Sequence, residues 1–259
     1  MTSLDTAPIK PAFGVGERIG ETFSVLRQRF MTFVLLAAVP GIVVQLISLA
    51  AGLGVGDDMF TDETSAVAGT ASIVTIVIFA FLIPILVYSV MTGMMVMAAY
   101  DTKTGRSVRL GAYVSAAIKR SPMLAIVTII VTFGISIASV FFLVPGLWLA
   151  GVWSVCVPVV MMESRGLGAL SRSAELTKEY RWPLVGFVVV TYIIIMVITT
   201  LVTLAFTVLP LPALVIAILM GLINGVTTAL LSIAVSVAYA RLRDIKEGVG
   251  YADLAEVFD

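Results

Sequence analysis

The chain has 259 residues, of which 60% are hydrophobic and 12% charged, with a mean hydropathy of +1.11. A soluble domain carries about 25% charged and about 45–50% apolar residues, so this composition cannot clothe a soluble surface and points to a membrane. Sixteen basic residues balance sixteen acidic ones, which removes the electrostatic case for a nucleic-acid partner, and histidine is absent, which removes His-based hydrolases and His-ligated metal sites.

The first thirty residues are polar and contain Asp5, Glu17 and Glu21, unlike the basic-then-apolar layout of a secretory signal. Within them Val15, Ile19, Phe23, Leu26 and Phe30 recur at helical spacing and end beside Arg27 and Arg29, predicting a helix on the membrane surface. A charge-free run over 30–56 supplies a first span at 31–51, with Pro40-Gly41 as a kink or hinge inside it. A linker with Asp57, Asp58, Asp62 and Glu63 leads to a second span at 71–98, where Pro84 reads as a kink in one long helix. Leu110, Tyr113, Val114, Ala117 and Ile118, ending at Lys119 and Arg120, repeat the surface pattern. The 42 charge-free residues over 121–162 are long enough to cross about 30 Å of hydrocarbon twice, giving spans at 122–143 and 147–162 joined by a turn at Pro145 and Gly146. A third surface segment carries Leu167, Leu170, Ala174 and Tyr180 and ends at Lys178 and Arg181. The 59 residues over 182–240 form a second hairpin, with spans at 183–208 and 213–239 and Pro210-Leu-Pro212 between them. Residues 241–259 form a tail in which Tyr251, Leu254, Val257 and Phe258 fall at near-helical spacing.

The reading is therefore an all-α polytopic bundle of about six transmembrane helices with amphipathic surface helices, one membrane domain over 1–259. Six crossings place every Lys and Arg on one side, and the positive-inside rule makes that side, with both termini, cytoplasmic. Splitting the second span at Pro84 would break this sorting. A multi-pass protein of a bacterial inner membrane is expected. The surface segments suggest a repeated unit, although their spacing, 91 and 61 residues between Arg29, Arg120 and Arg181, is unequal.

Candidate chemistry is sparse. No Asp, Glu, Lys or Arg lies inside the assigned spans, which argues against a proton-coupled pump. Asp101 and Glu163 sit at span ends as solvated carboxylates. Met91, Met94, Met95, Met97, Met161 and Met162 read as flexible core filler rather than a copper path, and Cys156 as a small buried hydrophobe. No catalytic residue, metal ligand or cofactor site is assigned. Arg27, Arg29, Lys119, Arg120, Lys178 and Arg181 are candidates for anionic lipid headgroups at the cytoplasmic face. In the sixth span Gly221 and Gly225 form a GxxxG pair, continued by Thr228, Ser232 and Ser236; Thr128, Thr132, Ser136 and Ser139 do likewise in the third. Such stripes serve helix packing, and a polar pathway would use the same residue types.

The run Pro145-Gly-Leu-Trp-Leu-Ala-Gly-Val-Trp-Ser-Val-Cys-Val-Pro-Val-Val-Met-Met-Glu163, followed by Ala169-Leu-Ser-Arg-Ser-Ala-Glu-Leu-Thr-Lys178, resembles bacterial six-span proteins related to the membrane domain attached to some glycerophosphoryl diester phosphodiesterases. Gly16-Glu-Arg-Ile-Gly-Glu-Thr-Phe23 and Arg241-Leu-Arg-Asp-Ile-Lys-Glu-Gly248 are similar to that family's ends. The esterase of those proteins is a separate His-dependent domain, so the resemblance implies a membrane module and no esterase. The expectation is a non-enzymatic module with an envelope, lipid-organising or accessory-subunit role, with membrane lipids and a protein partner or second copy as partners. The alternative is a permease or channel for a small neutral or amphipathic solute.

Overall fold

The computed structural model describes residues 11–50, 82–207 and 211–248. All secondary structure among them is helical: α1 (Val15–Gln28), α2 (Phe30–Ala50), α3 (Ile83–Lys103), α4 (Leu110–Phe141), α5 (Leu143–Trp153), α6 (Cys156–Glu163), α7 (Gly168–Leu176), α8 (Arg181–Thr207) and α9 (Ala213–Glu247). Six stretches are long and apolar enough to cross a membrane, with α5 and α6 together making the fourth. The protein is thus a multi-pass, all-α membrane bundle. The acidic linker at 57–63, the first part of the second span, Pro210 and the tail after Gly248 lie outside the described residues.

One of the three predicted surface segments is not a separate helix. Residues 110–118 are the first turns of the 32-residue α4, which spans about 48 Å at 1.5 Å per residue and so overshoots the hydrocarbon. Pro122 lies inside α4 without ending it. In the same way the 35-residue α9 runs on past Ala240 to Glu247, where Gly248 caps it at φ 67°. No breaker separates the amphipathic part of α9 from its apolar part, and in α4 the Ile118 carbonyl that Pro122 cannot serve accepts from Ser121 Oγ at 2.8 Å, so the helix continues.

The other two segments are separate helices, but they dock on the bundle. In α1 the buried side chains are Thr22, Val25 and Leu26, whereas Phe23 faces outward at 40% exposure. Phe13, just ahead of it, meets Phe187 of α8 edge-on at 5.9 Å. The segment α7 folds back along α6. Ser173 Oγ and Thr177 Oγ1 donate to the Val152 carbonyl at 2.8 and 3.2 Å, and Ala169, Ser173, Leu176, Thr177 and Tyr180 are buried. The expected apolar face was led by Leu167, which is 55% exposed. Docking on other helices, not on lipid, selects the buried face here.

The predicted turn at Pro145 and Gly146 is also displaced. The chain reverses at Phe142, which is extended (φ −158°, ψ 143°), and Pro145 is the third residue of α5, where a missing amide hydrogen costs nothing. Gly146 serves a different purpose: a Cβ there would stand 1.9 Å from Ser139 Oγ, so the hairpin closes only with glycine. The fourth span is itself broken at Ser154-Val155, between α5 and α6, where Pro158 has no amide hydrogen to give the Ser154 carbonyl.

The tightest contact in the bundle joins α2 to α9. A Cβ on Gly41 would lie 2.4 Å from the Gly221 carbonyl oxygen; one on Gly221, 2.7 Å from Ile42 Cα; one on Gly225, 2.8 Å from the Ala37 backbone. The two backbones touch, as in other small-residue membrane interfaces. Pro40 is accommodated inside α2 beside this contact. Pro84, the other expected kink, is the second residue of α3 at the edge of the described chain. The core concentrates at the basic end, around Tyr100, Tyr113, Tyr239 and Phe33, and the six methionines at 91, 94, 95, 97, 161 and 162 fill it, none more than 5% exposed.

Candidate functional site

Both span-end carboxylates are buried rather than solvated. Asp101, in the last turn of α3, is 3% exposed and accepts a hydrogen bond from Tyr113 Oη at 2.6 Å, while Arg109 approaches it at 3.5 Å. The link follows from the α3–α4 turn. Gly105 (φ 71°) lets the Arg106 amide reach back to the Asp101 carbonyl at 2.9 Å, which sets the first turns of α4 over the end of α3. Glu163, the last residue of α6, has a side chain only 11% exposed. It accepts from Tyr239 Oη at 3.0 Å, from Arg172 Nε at 2.9 and 3.1 Å, and pairs with Arg165 at 3.1 Å.

Each carboxylate is thus answered by one tyrosine hydroxyl and at least one guanidinium, which leaves it neutralised in place. Arg172 extends the second group by pairing with Glu247, which Arg243 also holds at 2.6 Å. Burial opposes the charge on Arg172, but its hydrogen bonds to Glu247 and Glu163 outweigh that, and its pKa lies above the ordinary guanidinium value. A further ion pair, Lys103 on Glu21, ties α3 to α1, where Arg18 also pairs with Glu21 at 2.7 Å within the helix. These clusters close the basic end of the bundle.

Beside this closed end lies an open one. Arg109, Lys119 and Arg120 line a pocket of about 360 Å³ with Ser115, over a floor of Met97, Ala112 and Ala116. Positions 109, 112, 116, 119 and 120 share one face of α4 at helical spacing, so the long helix itself presents the cations together. Arg120 is anchored by donating to Ser164 Oγ at 2.9 Å, and no acidic residue lines the pocket.

Of the six basic residues singled out from the sequence, only Lys119 and Arg120 meet. Arg29 turns inward to the Arg106 carbonyl, and Arg181 lies over the Trp148 ring, 4.6 Å from its centroid. Arg27 is exposed on α1 and Lys178 in the turn after α7. Arg109 was missing from that set because charge sorting treats every loop cation alike; its spacing of ten and eleven residues from Lys119 and Arg120, three helical turns, was the available signal. Gly221 and Gly225 face α2 as described, and Ser232 and Ser236 are buried, each donating to the carbonyl four residues earlier at 2.7 Å.

A second concavity, of about 260 Å³, sits where α5 breaks from α6. Thr128 and Thr132 of α4, Trp153, Ser154 and Cys156 at the break, and Tyr192 of α8 contribute to its wall. No known family model matches the chain, nor does any curated protein or solved structure.

Proposed function

We propose that the protein is a non-enzymatic module of a bacterial inner membrane, related to the membrane domain attached to some glycerophosphoryl diester phosphodiesterases. In this reading its basic end and both termini are cytoplasmic, and it holds anionic lipid there as a lipid-organising or accessory component of the envelope. The observation that carries the reading is the pocket of Arg109, Lys119 and Arg120. Three cations line one concave surface whose lining includes no acidic residue, Arg109 at its edge also pairing with Asp101 at 3.5 Å. A pocket with hydroxyl and apolar lining beneath fixed positive charge suits a phosphate-bearing headgroup whose chains lie along α4.

The test is lipid retention in nanodiscs that contain mixed anionic and zwitterionic phospholipid. Each cation near the surface contributes about 1 kcal/mol, so Lys119→Gln with Arg120→Gln should weaken anionic-lipid retention by about 30-fold. Equal retention of the two lipid classes by the unaltered protein would refute the proposal. The permease alternative rests on the cavity beside the broken helix, since discontinuous helices often frame transport sites. The polar stripe of α9 speaks against a continuous aqueous path, because Thr228, Ser232 and Ser236 spend their donors inside their own helix.

A further inference from the structure

Many hydroxyl groups in the spans are satisfied within their own helix. Thr92, Thr191, Thr199, Thr227 and Thr228 each donate to the carbonyl three or four residues back, at 2.7–3.1 Å. Others, Thr32, Ser136, Ser139, Thr200 and Thr203 among them, make no hydrogen bond among the described residues, and three further unbonded hydroxyls, those of Thr128, Thr132 and Tyr192, are set apart by lying together. All three line the cavity at the α5–α6 break. An unsatisfied polar group in hydrocarbon costs several kcal/mol, so three of them converging on one cavity mark a place where an outside group completes the bonding.

The position is deep. Thr128 lies eight residues beyond Arg120 and Tyr192 eleven beyond Arg181, which puts the cavity about 12–16 Å from the basic end at 1.5 Å per residue, near the middle of the hydrocarbon. It opens sideways rather than toward either end. Thr132 and Tyr192 are exposed, and Phe133, Ile193 and Met196 around them are exposed apolar residues of the bilayer-facing surface. Two other polar side chains of the lining are occupied: Ser154 Oγ donates to the Gly151 carbonyl at 2.9 Å and Cys156 Sγ to that of Ala169 at 3.8 Å.

We infer that this cavity binds the oxygen-bearing end of an uncharged, lipid-soluble molecule, an alcohol or carbonyl compound that enters from the bilayer between α4 and α8. Neutrality follows from the wall, which contains no Asp, Glu, Lys or Arg to answer a charge at mid-membrane. Size sets the rest. An apolar cavity of about 150 Å³ takes a benzene, so 260 Å³ takes a ring or short chain segment, and the body of a longer occupant stays in the lipid. Thr128, Thr132 and Tyr192 supply the donors, and the same hydroxyl oxygens can accept. This site is independent of the headgroup pocket and stands or falls separately.

The experiment uses the full chain in nanodiscs and three diazirine-bearing sixteen-carbon probes, an alcohol, an alkane and a carboxylate at pH 8, with labelled residues mapped by mass spectrometry. The alcohol should label residues 127–135 and 188–192 saturably. Labelling should fall at least fivefold in Thr128→Val/Thr132→Val and in Tyr192→Phe, while the melting temperature holds or rises, because these variants remove hydroxyls that the fold leaves unbonded. Any of four results overturns the inference: equal labelling by the alkane or the carboxylate, labelling unchanged in the variants, a crosslink joining two copies of the chain at these residues, or a sharp fall in melting temperature showing that the hydroxyls serve the fold.

Discussion

Replacing Gly221 and Gly225 by alanine tests the contact that locks the first span to the last. Ordinary carbon contacts lie at about 3.5–4.0 Å, whereas the new methyls would stand 2.7 Å from Ile42 Cα and 2.8 Å from the Ala37 backbone. These neighbours are backbone, so relief requires α2 and α9 to separate by about 1 Å, and a gap of that size forfeits about a quarter to a half of each dispersion contact along the seam. Overpacking of this kind costs about 1–3 kcal/mol, offset by about 1 kcal/mol from the better helix propensity of alanine. Each single variant should therefore lose up to about 2 kcal/mol, and because one separation relieves both clashes the double variant should lose less than the two single losses added. Gly186→Ala in α8 is the control, because nothing lies within 4 Å of its Cβ position, and it should be neutral or stabilising. Unfolding in mixed dodecyl sulfate micelles, followed by tryptophan fluorescence, measures all four proteins. If the double variant unfolds at the same dodecyl sulfate fraction as Gly186→Ala, the backbone contact between α2 and α9 does not stabilise the bundle.

Three further outcomes follow from the basic end. Tyr113→Phe removes the 2.6 Å donor to the buried Asp101 and should cost about 1–3 kcal/mol in the same assay; an unchanged midpoint would mean that Arg109 or water satisfies the carboxylate alone. Arg172→Ala unlinks α7 from Glu163 and Glu247 and should cost about 3 kcal/mol, with Arg172→Lys recovering only part because it keeps the charge and loses the fork; full recovery by lysine would reduce the link to simple charge. Reporters fused after Asp259 and within residues 103–119 should be active in the cytoplasm while one at 54–66 behaves as exported, and an exported carboxyl terminus would refute the orientation.

Much of the architecture is a property of the chain alone. Hydrocarbon thickness makes span number a matter of apolar length, and the runs at 30–56, 121–162 and 182–240 carry that information in their composition. The GxxxG spacing of Gly221 and Gly225 is likewise local, since both lie on one face of any helix they form. Tertiary structure decided what periodicity cannot express. Asp101 and Glu163 look like ordinary span-end carboxylates until Tyr113 and Tyr239 arrive from other helices and close over them. The segments at 15–28 and 168–176 have the pattern of surface helices, yet their buried faces are chosen by α8, α9 and the Val152 carbonyl rather than by lipid. Arg109 joins Lys119 and Arg120 only because α4 runs unbroken through what reads as a loop and a surface segment. Sequence patterning reports how much apolar or charged surface a segment carries; which neighbour covers that surface depends on helices far apart in the chain, and that choice made both the closed polar end and the pocket beside it.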